Sequence, residues 1–275
     1  MGNFPYQLRQ SGKITCMPTL HANWYDHPAY FDLAFRDETQ PEADFLEAAF
    51  EKYAIGPVTR LLEPACGSGR LVVEMARRGY DLLGFDLSEP MLNYARSRLA
   101  RRKLSAELFS ADMTSFSLPA PVDAAYNTFN SFRHLLTEQA ATSHLQSVAH
   151  AVRPGGLYIL GLHLLPPDAS EESTERWTAQ QGQTKLTGTL KVVASSRRRR
   201  LETLRISLRV RTPKRDVRIR SDFVLRLYNA TQLKRLLAAV PQFELCDVFD
   251  FWYDIDDPLK LTNHLSDTVL VLRRT

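Results

Sequence analysis

The stretch Thr59-Arg-Leu-Leu-Glu63-Pro-Ala-Cys-Gly67-Ser-Gly69-Arg-Leu-Val-Val-Glu74 decides the fold. It reads as a short apolar strand, a glycine turn and the first turns of a helix. Glycines at 67 and 69 let the backbone approach a ligand that a side chain would push away, and the following helix aims its N-terminal amides at that ligand. The next apolar strand, Asp81 to Asp86, ends in a carboxylate about 20 residues downstream, where it can accept both hydroxyls of a ribose. A ribose-containing ligand is therefore expected. A dinucleotide fingerprint would put a third glycine where Val72 stands. Glu63, ahead of the glycines, would repel a pyrophosphate and suits a cation such as a sulfonium or an ammonium.

The run closely resembles motif I of the class I S-adenosylmethionine-dependent methyltransferases, in which a Glu/Asp-x-x-x-Gly-x-Gly turn holds the methionine part of the cofactor. On that resemblance Glu63, Ala65, Cys66, Gly67 and Gly69 form the turn. Asp86 binds the ribose, and Leu87 and Met91 cover the adenine. Asp112, at the end of a third strand, meets the adenine amino group, with Met113 packed on the ring. The fourth strand and its loop, Val122 to Leu135, carry Asn127 toward the cofactor and Asn130 and His134 toward an acceptor. Pro154-Gly155-Gly156 resembles the turn into the fifth strand, so the resemblance covers roughly residues 59 to 164. It implies an α/β fold: a Rossmann-like seven-stranded sheet, helices on both faces and an antiparallel terminal strand, with S-adenosylmethionine as cofactor and S-adenosylhomocysteine as product. Upstream, the aromatic run Asn23 to Phe31 and a helix at about Glu42 to Tyr53 resemble the N-terminal lid of small-molecule members, with Tyr25, Tyr30 and Arg36 as candidate cofactor contacts.

Plainer roles exist for several of these residues. Cys66 has no adjacent base and reads as a small buried side chain needed only for its backbone. Met91 and Met113 fit core packing, His134 fits a bond to a loop carbonyl, and the lid aromatics can simply staple a helix to the sheet.

Composition agrees with a globular enzyme. The chain has 275 residues, 44% hydrophobic and 24% charged, enough for one large domain with an insertion. The first residues hold no apolar signal core, Tyr6 occupies the position where a myristoylation motif wants Ser or Thr, and no segment approaches the ~18 apolar residues of a membrane span. Cys16, Cys66 and Cys246 have no metal-like spacing. A cytoplasmic protein with reduced thiols, no metal and no membrane partner is the expectation.

Between the fifth strand and the last helix lies an insertion, about Leu165 to Tyr228, opened by the polar link Pro166 to Ser173. Strand patterns follow at Lys185 to Ser195, Leu204 to Arg211 and Val217 to Tyr228, and in the second of these the apolar residues occupy even positions. An antiparallel three-stranded meander is expected, covering the acceptor mouth or forming a homodimer contact. The organisation is then 1–58, extension and helical lid; 59–164, cofactor-binding core; 165–228, inserted sheet; 229–275, a helix near Thr231 to Ala239 and a hairpin completing the core. Residues 191 to 220 hold twelve Lys and Arg against only Glu202 and Asp216, while the whole chain is +4. Such a patch attracts phosphates, so RNA methylation is the alternative to a small-molecule acceptor, although basic side chains on strands also block edge aggregation. A non-catalytic S-adenosylmethionine-binding protein is the third reading. In-line methyl transfer requires little covalent help. No Asp-His pair stands in the sequence, which favours an amine acceptor over an oxygen needing a general base. Arg226, Tyr228 and Trp252 join Asn130 and His134 as candidate acceptor contacts.

Overall fold

Two sheets organise the structure, a computed structural model in which residues 19–275 are described. Expectations for the preceding residues, Tyr6 and Cys16 among them, lie outside the described residues. The chain forms β1 (Thr19–His21), α1 (Pro28–Phe35), α2 (Thr39–Tyr53), β2 (Arg60–Pro64), α3 (Arg70–Arg77), β3 (Asp81–Asp86), α4 (Glu89–Arg102) and β4 (Glu107–Ser110). It continues through β5 (Val122–Asn127), α5 (Glu138–Ala151), β6 (Val152–His163), β7 (Thr174–Gln181), β8 (Thr184–Ser196) and β9 (Leu201–Thr212). The last elements are β10 (Arg215–Arg226), α6 (Ala230–Ala238), β11 (Phe243–Phe249) and β12 (Asp267–Arg274).

The seven-stranded sheet has the order β11-β12-β6-β5-β2-β3-β4. Strands β6 to β4 are mutually parallel, while β12 runs antiparallel to β6 and β11 antiparallel to β12. Parallel strands buried on both faces read as unbroken apolar runs, and Leu61-Leu62, Leu82-Leu83 and Ala124-Ala125-Tyr126 are fully buried. Phe45, Leu71, Val72 and Leu92 bring α2, α3 and α4 onto one face; Leu145, Val148, Leu233 and Leu236 bring α5 and α6 onto the other. From β2 the chain progresses outward to β3 and β4, then returns to β5 on the other side. That reversal opens a crevice at the carboxyl ends of the strands. The architecture is the one expected from the sequence, antiparallel last strand included.

The second sheet is larger than the expected three-stranded meander. Its order is β1-β10-β9-β8-β7, with β1 adding parallel to the edge of an antiparallel four-stranded run. Strand β7 lacks a clean apolar alternation, and β1 has only three residues, so neither carried a period-two signal. Trp177 of β7 lies over Gly188 of β8, where a Cβ would come within 2.3 Å of the indole. The even residues of β9, Leu204 to Val210, do face inward, and Leu186, Ile206, Leu208 and Ile219 pack against Trp24 and Leu33 of the N-terminal segment.

The insertion leaves and rejoins the core at one neck, where the Leu165 amide donates to the Tyr228 carbonyl at 2.7 Å. Part of the arginine run is consumed there. Arg197 donates to the Pro166 and Ala169 carbonyls, and Arg200 to the Leu227 carbonyl and to Glu138. On the outer face Arg205 pairs with Asp222, and Arg209 and Arg211 with Asp216.

Candidate functional site

A cavity of about 1200 Å³ lies between the crevice and the inward face of the second sheet. Its floor is the glycine turn after β2. Ala65, Gly67 and Gly69 all adopt positive φ (54°, 52° and 65°), which folds the turn back on itself. The two glycines have different reasons to be glycine. A Cβ at Gly67 would meet nothing within 4 Å, so that position faces open cavity, whereas one at Gly69 would come within 2.7 Å of Ala95 Cβ on α4. Gly67 permits ligand approach; Gly69 permits close helix packing and lies outside the cavity wall. Of the two glycines expected at the ligand, the structure thus places Gly67 in the cavity wall and Gly69 behind it.

Asp86, in the wall, fixes the turn by accepting from the Gly67 amide with one carboxylate oxygen and the Ser88 amide with the other, each at 2.8 Å. Burial raises its pKa, against the pull of those amides. Leu87 is 70% exposed at the cavity edge, and Met91, fully buried, lines the cavity. Glu63 lies beneath the turn, not in the wall, and its Oε2 has no hydrogen-bond partner. Burial pushes its carboxyl up to about 8, opposed by Arg70 and assisted by Glu42, which itself is paired with Arg70. An orphaned buried carboxylate oxygen beside an open glycine turn fits a cationic group, so the residues present suit the methionine end of S-adenosylmethionine. Cys66 also lies below the turn, where burial pushes its thiol up; it holds the turn to β3 through its amide, which donates to the Phe85 carbonyl at 2.9 Å.

Several expected contacts lie outside the wall. Asp112 closes its own turn, its Oδ1 accepting from the Thr114 amide and hydroxyl, while Met113 does line the cavity. Asn127 is buried and donates to the Pro64 carbonyl at 2.9 Å, tying β5 to the end of β2. Tyr30 stacks on His27 rather than entering the cavity, and Arg36 bonds Gln181 and pairs with Asp32. Arg226 is occupied by the Leu136 carbonyl and Glu138, and Tyr228 is buried against Phe132 below the Arg200 and Arg226 guanidiniums. Trp252, 86% exposed, does not line the cavity, although its neighbour Phe251 packs on His163 and Phe129 of the wall. Except at Trp252, a nearer backbone or packing partner claims the side chain.

Tyr25, Asn130 and His134 are in the wall. The Tyr25 hydroxyl and His134 Nε2 are hydrogen-bonded at 2.9 Å. Burial, with Arg133 adjacent, pushes His134 down to about 4, and burial pushes Tyr25 up to about 12, so the pair is neutral near pH 7. Asn130 sits at φ 59° and accepts the His163 amide at 2.9 Å.

An Asp-His pair, absent as a sequence neighbour, exists in space. His163 and Asp267 are register partners on β6 and β12, and the His163 Nδ1–H donates to Asp267 Oδ1 at 2.6 Å. Both line the cavity, and the rings of Phe129 and Phe251 flank the imidazole. With Nδ1 committed to the carboxylate, Nε2 of a neutral ring is the free proton acceptor. The second sheet adds Trp177, Ile206, Phe223 and Leu225 as an apolar roof. Glu38, also in the wall, is pushed up to about 7, chiefly by desolvation. None of these was marked by a motif; only the placement of His163 at a strand end preceding a polar link could have singled it out.

Comparison with known proteins agrees with this geometry. Residues 61–156 match the family described as Methyltransferase domain. Over 139 residues the chain is 28% identical to the dTDP-3-amino-3,4,6-trideoxy-alpha-D-glucopyranose N,N-dimethyltransferase of Streptomyces venezuelae, covering 49% of this chain and 56% of that one. It is 32% identical to the glycine N-methyltransferase of Rattus norvegicus over 114 residues, 37% of this chain and 39% of that one. The chain spans about half the length of the curated relatives it matches. Among solved structures, Streptomyces venezuelae DesVI superposes with a TM-score of 0.74 at 19% identity, covering 90% of this chain and 98% of that one. A S-adenosylmethionine-dependent methyltransferase from Clostridium acetobutylicum also gives 0.74, at 17% identity, covering 92% and 99%. Residues 61–156 therefore match a methyltransferase domain, and the chain has the fold of the class I S-adenosylmethionine-dependent methyltransferases.

Proposed function

We propose that the protein is a S-adenosylmethionine-dependent methyltransferase that methylates a small-molecule amine. The observation that carries the reading is the union, in one cavity, of an open glycine turn and Asp86 with an apolar-roofed chamber ending at His163 and Asp267. Asp86 and the Gly67 turn would hold the ribose and methionine parts and Leu87 and Met91 the adenine, with Glu63 acting on the cofactor ammonium as a negative charge from beneath the turn. When bound, the cofactor supplies an electrophilic methyl group on a sulfonium. The chain's own contribution is to hold the acceptor in line under the second sheet, exclude water, and accept a proton. Effective molarity from such positioning supplies several kcal/mol of rate. Relatives whose names describe N-methylation support the amine.

The arrangement gives less support to RNA. The arginines that suggested it are partly committed, some to the neck and others to Asp216 and Asp222 on the outer face of the second sheet. Calorimetric titration of S-adenosylhomocysteine into the wild type and Asp86→Ala, with NAD as control, tests the reading. Micromolar binding, weakened at least tenfold in the variant, is expected; a folded wild type that binds NAD instead would sink it.

A further inference from the structure

The charges of the wall specify the acceptor further, on the footing of the methyltransferase reading. Asp37, Glu38, Glu175 and Asp267 line the cavity, and among the described residues none is ion-paired with Lys or Arg. The described wall contains no lysine and one arginine, Arg133. That arginine is buried and committed, donating to the Arg226 carbonyl and pairing with Glu202. Apolar side chains, Phe129, Ile206, Phe223 and Leu225 among them, share the wall with uncharged polar ones such as Tyr25, Asn130 and Ser131. A nucleoside diphosphate needs cationic donors for its phosphates, and here it would meet carboxylates instead. The wall thus opposes the nucleotide-linked sugar named for the Streptomyces relative.

We propose that the acceptor half of the cavity takes a phosphate-free organic ammonium with an apolar body, its nitrogen seated at the His163–Asp267 pair. Carboxylates draw the cation in, and the Phe129 ring offers a face to it. One N–H bond of the ammonium breaks, its electron pair stays on nitrogen, and the proton passes to His163 Nε2. The imidazolium so formed is stabilised by Asp267 through Nδ1, and Asn130 fixes the His163 backbone. The neutral amine is then the nucleophile. Asp267 acts here as a positioning residue, and His163 touches the substrate.

The test uses the full chain. S-adenosylhomocysteine binding is measured first; its failure would overturn the methyltransferase reading and this inference with it. The saturated protein is then titrated with 2-phenylethylammonium, n-hexylammonium and, separately, thymidine diphosphate. Binding of an ammonium and none of the diphosphate is expected, with ammonium affinity falling about ten- to a hundredfold in Asp267→Asn while S-adenosylhomocysteine affinity holds. His163→Gln repeats the measurement should Asp267→Asn fail to fold. Neither ammonium binding at about millimolar concentration, thymidine diphosphate displacing one, or a folded variant that binds the ammonium unchanged would each overturn the assignment.

Discussion

Replacing the two turn glycines by alanine one at a time should produce opposite failures. Both sit in the left-handed region, so either substitution costs about 1–2 kcal/mol of backbone strain. At Gly67 little is added, because the new methyl enters open cavity. At Gly69 it would stand 2.7 Å from the Cβ of Ala95, a fully buried residue on α4 that has no rotamer to swing away. Relieving that overlap adds about 1–3 kcal/mol of overpacking, for a total of roughly 2–5 kcal/mol. Against a stability of about 5–15 kcal/mol, this is a large fraction. Urea unfolding and calorimetry with S-adenosylhomocysteine read the two effects separately. Gly67→Ala should keep most of its stability and lose binding at least tenfold; Gly69→Ala should unfold at much lower urea yet bind nearly normally while folded. Adding Ala95→Gly to Gly69→Ala should recover part of the loss, since the two positions share one contact. The reverse pattern, a stable Gly69→Ala that cannot bind beside a Gly67→Ala that can, would refute the division of roles.

Glu63, pushed up to about 8 by burial, holds a proton near pH 7 until a cation arrives, so S-adenosylhomocysteine binding should release close to one proton. Calorimetry in buffers of different ionisation heat checks this, and Glu63→Gln should abolish it. Because the folded pKa stands above the ordinary carboxylate value, Glu63 favours folding fully below about pH 4 and progressively less as pH rises toward 8; Glu63→Gln should flatten that slope in denaturation curves. Asp32→Ala would strand Arg98, paired with it at 2.5 Å between α1 and α4, and should destabilise the fold by about 3 kcal/mol in urea unfolding. His134, depressed to about 4, should remain neutral by NMR down to about pH 5, and the stability it allows should be lost as pH falls from about 6.5 toward 4.

The cofactor half of the molecule was legible in the sequence because its signals are local. A strand, a turn of positive φ and a strand-ending acid lie within thirty residues, and each constrains residue type through backbone geometry. Even there, the sequence could not tell that Gly69 serves Ala95, or that Asn127 and Asp112 would be claimed by Pro64 and Thr114, since those partners are set by packing. The acceptor half was nearly illegible. His163 and Asp267 are 104 residues apart and meet only because β12 folds back against β6. Arg226 and Tyr228, read as acceptor contacts, are drawn away by Glu138, Leu136 and Phe132. The basic tally of the insertion counted Asp216 but stopped short of Asp222, and it could not show that each carboxylate lies across a strand from an arginine that it pairs with.

The neck at Leu165 and Tyr228 gives the molecule a modular character. The chain of strands β7 to β10 leaves and rejoins the core at one place, among the described residues is bonded further to that core only through the segment from Arg133 to Glu138, and lends nothing to the glycine turn. Changes in the roof can therefore alter which molecules are admitted without disturbing Gly67, Glu63 or Asp86. A chain built this way can diversify its chemistry of recognition while its chemistry of transfer stays still, and exchange of residues 166–227 between such proteins would be the natural unit of specificity engineering.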